Sequence, residues 1–130
     1  MKRLYFLICI SFFCLLNGVS VSADDELTYQ INIQHRPHGG THNEIYPPAD
    51  MPDAVYYDID AEEIVIEADG MFTSYYNVLI IRNSTNQTMI STQISGYGDS
   101  IDVSSLPSDN YTLVLTTESN NVYEGQFTIQ

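Results

Sequence analysis

The sequence predicts an all-β sandwich, and three observations lead to that fold class. Short segments of alternating apolar and polar residues follow one another from residue 54 to residue 129, which is typical of half-buried strands. Clusters of Gly, Pro, Asn, Asp and Ser separate these segments. No segment keeps an apolar period of about 3.6 residues, so helices are not expected. About seven short strands joined by turns are expected to pack as two antiparallel sheets.

The first predicted strand lies apart from the others. Residues 27–33 alternate strictly, with the apolar and aromatic residues at the odd positions on one face. Residues 34–53 show no apolar period and contain several glycines and prolines, which predicts a long linker. Segment 73–83 is apolar on both faces, so it is expected inside a sheet. The seven strands after the linker are expected at 54–59, 63–69, 73–83, 88–94, 101–106, 111–117 and 122–129.

The N-terminus has the pattern of a cleaved secretory signal peptide. A short basic start precedes an apolar run, which ends in small residues, with Val21 and Ala23 just before the expected cleavage point. A retained membrane anchor is the less favoured alternative, because the apolar run is short for the ~20 residues that a bilayer requires. The protein is expected to be exported, to the periplasm or outside the cell, without membrane insertion after cleavage. The expected organisation is a signal peptide at 1–23, an N-terminal strand and Gly/Pro/His linker at 24–53, and a sandwich domain at 54–130.

The composition of the mature chain limits its chemistry. Both cysteines lie in the predicted signal peptide, so the core is expected to be stable without disulfides. The whole chain has a net charge of −13. After cleavage Arg36 and Arg82 remain against 17 acids, which gives a net charge of −15. Such an acidic protein is not expected to bind nucleic acid or anionic membrane surfaces.

The C-terminal part carries the pattern of a known group of domains. A Leu-Pro turn at Pro107 is followed by a Tyr-x-Leu strand from Tyr111, and the chain closes with Gly-x-Phe-x-Ile from Gly125 to Ile129. Over about residues 25–130 the chain resembles the short exported Ig-like or fibronectin-III-like domains of unknown function in Bacteroides-type bacteria. The resemblance implies an antiparallel β-sandwich of about seven strands plus an extra N-terminal strand on a long linker. Tyr111 is expected to form a tyrosine corner, in which its hydroxyl binds a backbone group a few residues upstream.

All three histidines lie close together in the predicted linker. His35, His38 and His42 are spaced i, i+3 and i+7, which on a helix would place three zinc ligands on one face. Pro37 and the two adjacent glycines disfavour a helix, so this metal site is the weaker hypothesis and no cofactor is expected. The segment also supplies the one cationic patch expected on the acidic chain, apart from Arg82. The preferred hypothesis is a recognition loop formed by His35, Arg36, His38, His42 and Tyr46.

The sequence shows no catalytic motif, and an enzyme is not expected. The mature chain has no cysteine nucleophile, no Gly-x-Ser-x-Gly elbow and no phosphate-binding glycine loop. Asp58, Asp60 and Glu62 match three ligand places of a calcium loop, but Glu63 occupies the place that requires glycine. A hairpin turn with exposed acids is expected instead.

The preferred function is an exported, non-catalytic module that recognises a protein through a sheet edge or through the 34–53 loop. The 27–33 strand is expected either to cover an edge of its own sandwich or to pair with a neighbouring molecule in a strand-exchanged homodimer. The alternative function is glycan binding at the cell surface or in the periplasm. Its candidate sugar platforms are Tyr46, Tyr75 and Tyr97.

One modification site is predicted. Ser100, in the segment Asp-Ser-Ile, resembles the Asp-Ser/Thr-aliphatic sites that such bacteria O-glycosylate on exported proteins. It is expected where a loop enters a strand, a position accessible to a modifying enzyme.

Overall fold

The protein folds as a β-sandwich. The computed structural model describes residues 27–36 and 48–130, which form nine strands in two antiparallel sheets and contain no helix. Consequently, no helix in these two ranges is long and apolar enough to cross a membrane. The strands are β1 (Thr28–Gln30), β2 (Gln34–Arg36), β3 (Ala54–Asp58), β4 (Glu63–Glu67), β5 (Tyr75–Arg82), β6 (Gln87–Ser95), β7 (Gly98–Asp102), β8 (Asp109–Thr117) and β9 (Val122–Ile129).

The strand order separates the chain into two layers. The first sheet has the order β1-β3-β4-β7, and the second has the order β2-β9-β8-β5-β6. Six of the seven strands from β3 to β9 lie where the alternating pattern predicts them. The prediction of a strand at 101–106 is wrong in its bounds, because β7 spans Gly98–Asp102 and the chain turns after it. β5 lies between β8 and β6, so the expectation of an interior strand from its two apolar faces is confirmed.

The core lies between the sheets and is built from the alternate residues of the longer strands. β4, β5 and β8 each place a run of side chains against the facing sheet with almost no exposed surface. Burying one such aliphatic side chain contributes roughly 1.5–3 kcal/mol. The fully buried members are Ile64, Ile66, Tyr76, Val78, Ile80, Val103, Tyr111, Leu113, Leu115, Thr117 and Tyr123.

Tyr111 forms the predicted tyrosine corner. Its side chain is fully buried, and its hydroxyl donates a hydrogen bond of 2.5 Å to the carbonyl of Pro107. The ring stacks on Phe127, with ring centroids 5.5 Å apart. The hydroxyl therefore ties the turn before β8 to the core of the second sheet.

Replacing Tyr111 by Phe is expected to lower the free energy of unfolding by about 1 kcal/mol, because one intramolecular hydrogen bond is lost while the ring packing stays. Urea denaturation of the two proteins measures the difference. Tyr29→Phe, at an exposed tyrosine, is the matched control and should change nothing. Equal losses in the two variants would contradict the corner.

The expectation of one continuous strand over 27–33 is wrong, because the segment changes sheets. β1 pairs with β3 at the edge of the first sheet, and β2 pairs with β9 at the edge of the second. Between them Ile31 is buried, whereas Leu27 and Tyr29 are exposed. Alternation shows which residues share a face of a strand, but it does not show where a strand leaves its sheet.

A glycine in β9 makes room for this crossing. A Cβ atom on Gly125 would lie 2.6 Å from Cγ2 of Ile31 and 3.0 Å from the carbonyl oxygen of Asn32. Glycine inside a strand is typical of a place where another backbone approaches closely. Within the single chain the N-terminal segment therefore covers edges of its own sandwich, and the strand-exchanged homodimer stays a prediction.

Candidate functional site

The turns at one end of the sandwich form the candidate site, which we call the loop end. The strand pairings bring together here the C-terminal ends of β2, β4, β6 and β8 and the N-terminal ends of β3, β5, β7 and β9. The loop end contains the turns at 68–74, 96–97 and 118–121. It also includes Arg36 and Pro48. These two residues border the part of the connection between β2 and β3 that lies outside the described ranges.

Asp50 is a buried carboxylate that joins this connection to the sandwich. Only 6% of its surface is exposed. The carboxylate accepts hydrogen bonds from Oγ1 of Thr117 at 2.6 Å, from Nδ2 of Asn121 at 3.0 Å, and from the hydroxyl of Tyr123. Its backbone carbonyl accepts a fourth, from the hydroxyl of Tyr76 at 3.0 Å. One residue of the predicted linker thus binds β5, β8, β9 and the turn between β8 and β9.

The electrostatics of this node follow from burial and hydrogen bonding. Burial raises the pKa of the Asp50 carboxyl, but the three side-chain donors together outweigh burial and hold the pKa below the ordinary value of 3.8. Burial first, and the negative charges of Asp50, Asp53 and Asp69 second, raise the pKa of Tyr76 to about 12. The node therefore contains a carboxylate and a neutral phenol at neutral pH.

Three large apolar side chains stand exposed at the same end, and we call them the apolar patch. Met71 is 77% exposed, Phe72 is 55% exposed and Tyr97 is 75% exposed. Met71 and Phe72 directly follow Gly70, on which Tyr97 lies, so all three surround one backbone turn. Exposed apolar residues that occur singly are ordinary, but a group of them is typical of an interaction surface.

The apolar patch has a fixed backbone. A Cβ atom on Gly70 would lie 2.6 Å from Cε1 of Tyr97, so the ring rests on the glycine and leaves its other face open. Gly70 has a φ of +72°, a conformation that favours glycine. The N–H of Met71 donates to Oδ1 of Asp69 at 3.0 Å and closes the turn. Only glycine therefore allows this arrangement of ring and backbone.

The recognition-loop residues predicted from the sequence fall in two places. His35 and Arg36 lie in β2, where His35 packs on the ring of Tyr123 with centroids 5.4 Å apart. Because β2 is extended, helical spacing does not apply at His35. The remaining predicted residues, His38, His42 and Tyr46, lie outside the described residues.

The predicted cationic patch is partly neutralised, because Arg36 is ion-paired. Arg36 binds the carboxylate of Glu124, and Nε of Arg82 lies 2.7 Å from Oδ2 of Asp109 at the opposite end of the sandwich. Hydrogen bonds from Ser84 and Arg82 lower the pKa of Asp109 to about 2. A groove of about 630 Å³ accompanies β2, lined by Tyr29, Gln30, Asn32, Gln34, His35, Arg36, Glu124, Gly125 and Gln126.

The segment from Asp58 to Glu63, which matches part of a calcium loop in sequence, forms the expected hairpin turn between β3 and β4. Asp58 Oδ1 accepts the N–H of Ala61 at 3.0 Å, and Glu62 adopts a φ of +54° before β4 begins. Over the two described ranges, no group of three or more His, Cys, Asp or Glu side chains is placed to hold a metal ion.

The predicted tyrosine platforms and the modification site differ in exposure. Tyr75 is half-buried in β5, whereas Tyr97 is exposed at the turn between β6 and β7. Tyr46 lies outside the described residues. Ser100 is exposed within β7 rather than at the loop boundary expected for it, because β7 already begins at Gly98.

β6 is a long edge strand of unusual composition for this chain. Its nine residues contain no charge and no proline. Charged residues and proline commonly protect an edge strand from pairing with other chains, and β6 has neither. The N–H of Gly96 donates to the carbonyl of Ser74 at 2.9 Å. Hydrogen-bonded and non-hydrogen-bonded residue pairs alternate along an antiparallel pair of strands. Counting from Gly96, the backbone N–H and C=O groups of Ser91 and Gln93 therefore point away from β5.

Comparison with known proteins identifies the fold. No family model matches the chain, and no curated protein matches it. Among solved structures it is similar to a DUF3244 family protein from Bacteroides vulgatus with an immunoglobulin-like β-sandwich fold, at 13% identity and a TM-score of 0.61. The match covers 79% of this chain and 99% of that chain. The fold is an Ig-like β-sandwich.

The likeness confirms the predicted fold class and agrees with the resemblance to Ig-like domains from Bacteroides-type bacteria. The neighbour belongs to a family of unknown function. At 13% identity it shows the fold alone, and function has to be argued from the loop end.

Sequence reasoning missed part of the loop end. Met71 and Phe72 are not among the predicted site residues, although they directly follow Gly70, a residue type typical of turns. Asp50 is not among the predicted site residues either. Its role as a buried acceptor depends on partners far along the chain, Thr117, Asn121 and Tyr123.

Proposed function

We propose that this protein is an exported, non-catalytic module that recognises a protein partner with its loop end. The observation that supports this most is the apolar patch, Met71, Phe72 and Tyr97, exposed on a turn that Gly70 fixes. Aromatic residues and Met are enriched at protein interfaces, and a few such side chains supply most of the binding energy. Because the turn is already fixed, little conformational entropy is lost on binding.

The connection between β2 and β3 is proposed as the second part of the recognition surface. Strand pairing at β2 anchors one side of it, and the buried carboxylate of Asp50 anchors the other. Both anchors lie at the loop end. In this proposal the predicted recognition residues of the connection, His38, His42 and Tyr46, take part in binding the partner.

Site-specific photocrosslinking in the native cell envelope tests the function. p-Benzoylphenylalanine replaces Phe72 in one variant and Ile59 in the other, because Ile59 is also exposed but lies at the opposite end. A discrete adduct with one protein is expected from position 72 and none from position 59. Identical adduct patterns from both positions, or no adduct from position 72, would contradict the proposal.

The uncharged edge of β6 offers a second route to the same function, by addition of a partner strand. The backbone N–H and C=O of Gln93 point away from β5, whereas those of Thr92 point toward β5. Proline is tolerated on an edge strand where its missing N–H faces solvent, and it breaks the sheet where the N–H is used.

Gln93→Pro is therefore expected to retain the fold and to lose strand addition, while Thr92→Pro is expected to cost about 2 kcal/mol of stability, because a ladder hydrogen bond to β5 is lost. Urea denaturation measures stability. Crosslinked yield from position 72 measures partner binding. If Gln93→Pro captures the partner as well as the wild type does, recognition does not use this edge.

A second candidate function, glycan binding, is favoured by one feature, the open face of the Tyr97 ring. Sugar rings stack on such faces, and a glycan array with the wild type and Tyr97→Ala tests this. Binding by the wild type that the variant loses would support the alternative.

A further inference from the structure

The chemistry of the partner can be inferred from the surroundings of Tyr97, on the basis of the proposed function. One face of the ring rests on Gly70, and the other faces solvent. An aromatic face attracts a cation, most often the planar guanidinium of arginine, which stacks on it. The ring is fixed before binding, so it is a suitable platform for such a group.

Two carboxylates lie in the turns next to this platform, one beside Gly70 and one on Ser74, whose carbonyl binds Gly96. Asp69 directly precedes Gly70 and uses Oδ1 to accept the N–H of Met71 at 3.0 Å, which leaves Oδ2 available. Glu118, in the turn between β8 and β9, accepts the N–H of Ser74 at 3.3 Å through Oε2. Both side chains are exposed at the loop end. They favour a positively charged ligand over a neutral or anionic one.

The cations of the described ranges do not compete for this platform. Arg36 lies on β2, at the other edge of the second sheet, and is paired with Glu124. Arg82 is paired with Asp109 at the far end of the sandwich. With a net charge of −13 for the chain, the field at the loop end attracts basic partners and accelerates their association.

We propose that the partner docks a basic segment on the apolar patch, with an arginine stacked on the open face of Tyr97 and its charge facing the carboxylate of Asp69. Met71 and Phe72 then cover the aliphatic stem of that arginine and neighbouring apolar groups. The acidic surface selects the basic segment, and the ring fixes its position.

Nuclear magnetic resonance titration of the ¹⁵N-labelled protein tests this inference. The probes are three otherwise identical nine-residue peptides of Gly and Ser with a central arginine, lysine or citrulline. Citrulline keeps the shape of arginine but has no charge. The expected order of affinity is arginine, lysine, citrulline, with chemical-shift changes centred on Gly70 and Tyr97.

Matched variants separate stacking from general attraction. Tyr97→Ala is expected to weaken binding of the arginine peptide about tenfold, and Tyr97→Phe less than about twofold, because the ring is retained. Asp69→Asn should weaken it about threefold to fivefold. Asp60→Asn, an equal loss of charge at the opposite end, should leave it within about 1.5-fold.

Three results would overturn the inference. These are equal binding of the arginine and citrulline peptides, equal effects of Asp69→Asn and Asp60→Asn, and the same shifts caused by a neutral oligosaccharide in place of the arginine peptide. Photocrosslinking at position 72 distinguishes failure of the arginine site from failure of the proposed protein recognition. An adduct there together with any of these results rejects the arginine site and retains protein recognition.

Discussion

Asp50→Ala is expected to lower the free energy of unfolding by about 3 kcal/mol, the largest effect among our predictions. The substitution removes the shared acceptor of hydrogen bonds from Thr117, Asn121 and Tyr123 in a buried site. It also releases the C-terminal side of the connection. Urea denaturation at pH 7 measures the loss. Asp60→Ala, at an exposed acid, should stay within about 0.5 kcal/mol.

Acid pH provides an independent check of the same node. The pKa of Asp50 is lower in the folded protein than its ordinary value of 3.8. Its contribution is therefore complete above about pH 4 and is lost as the pH falls through the folded-state pKa. Asp50→Asn removes this titration, so the stability difference between the two proteins should narrow below pH 4. A difference that widens on acidification would contradict the assigned hydrogen bonds.

Gly125→Val is expected to detach the N-terminal segment and to cost about 2 kcal/mol, because its side chain would overlap Ile31 and the backbone of Asn32. Urea denaturation measures the stability, and chymotrypsin cleavage after the exposed Tyr29 reports the detachment. Gln126→Val, at the exposed neighbouring position, is the control and should resist cleavage as the wild type does.

The same variant tests the predicted homodimer. In a strand-exchanged dimer the 27–36 segment would lie over position 125 of the second molecule, where Val causes the same overlap, so mass measurements in solution should show less dimer for Gly125→Val than for the wild type. A wild type that is strictly monomeric at all concentrations would contradict strand exchange. Protease resistance equal to that of the wild type would instead show that the segment does not cross over Gly125.

The sandwich could be predicted from the sequence because its signals are local. The alternation of Tyr111, Leu113 and Leu115 is visible within seven residues, and so is the spacing from Pro107 to Tyr111 that closes the corner. Turn residues mark the strand ends to within a few positions. β7 was expected to begin later because its first residues, Asp99 and Ser100, are exposed at a sheet edge and have no apolar alternation.

The loop end could be predicted only in part because its contacts are distant in sequence. Asp50 lies 67 residues from Thr117 and 73 residues from Tyr123, and no local pattern links them. The contact between Gly70 and Tyr97 joins two turns in the same way. The sequence indicated Tyr97 as exposed and the connection as unusual. It did not show that the two lie at one end of the sandwich.

The affinity of the photocrosslinked partner for patch variants tests the central claim, recognition at the loop end, most directly. The double variant Phe72→Ser/Tyr97→Ser is compared by calorimetry with Leu27→Ser/Ile59→Ser, which removes exposed apolar residues from the opposite end. We expect the first to weaken binding at least tenfold, about 1.4 kcal/mol, and the second to leave it unchanged. Equal affinities of the two double variants would contradict recognition at the loop end.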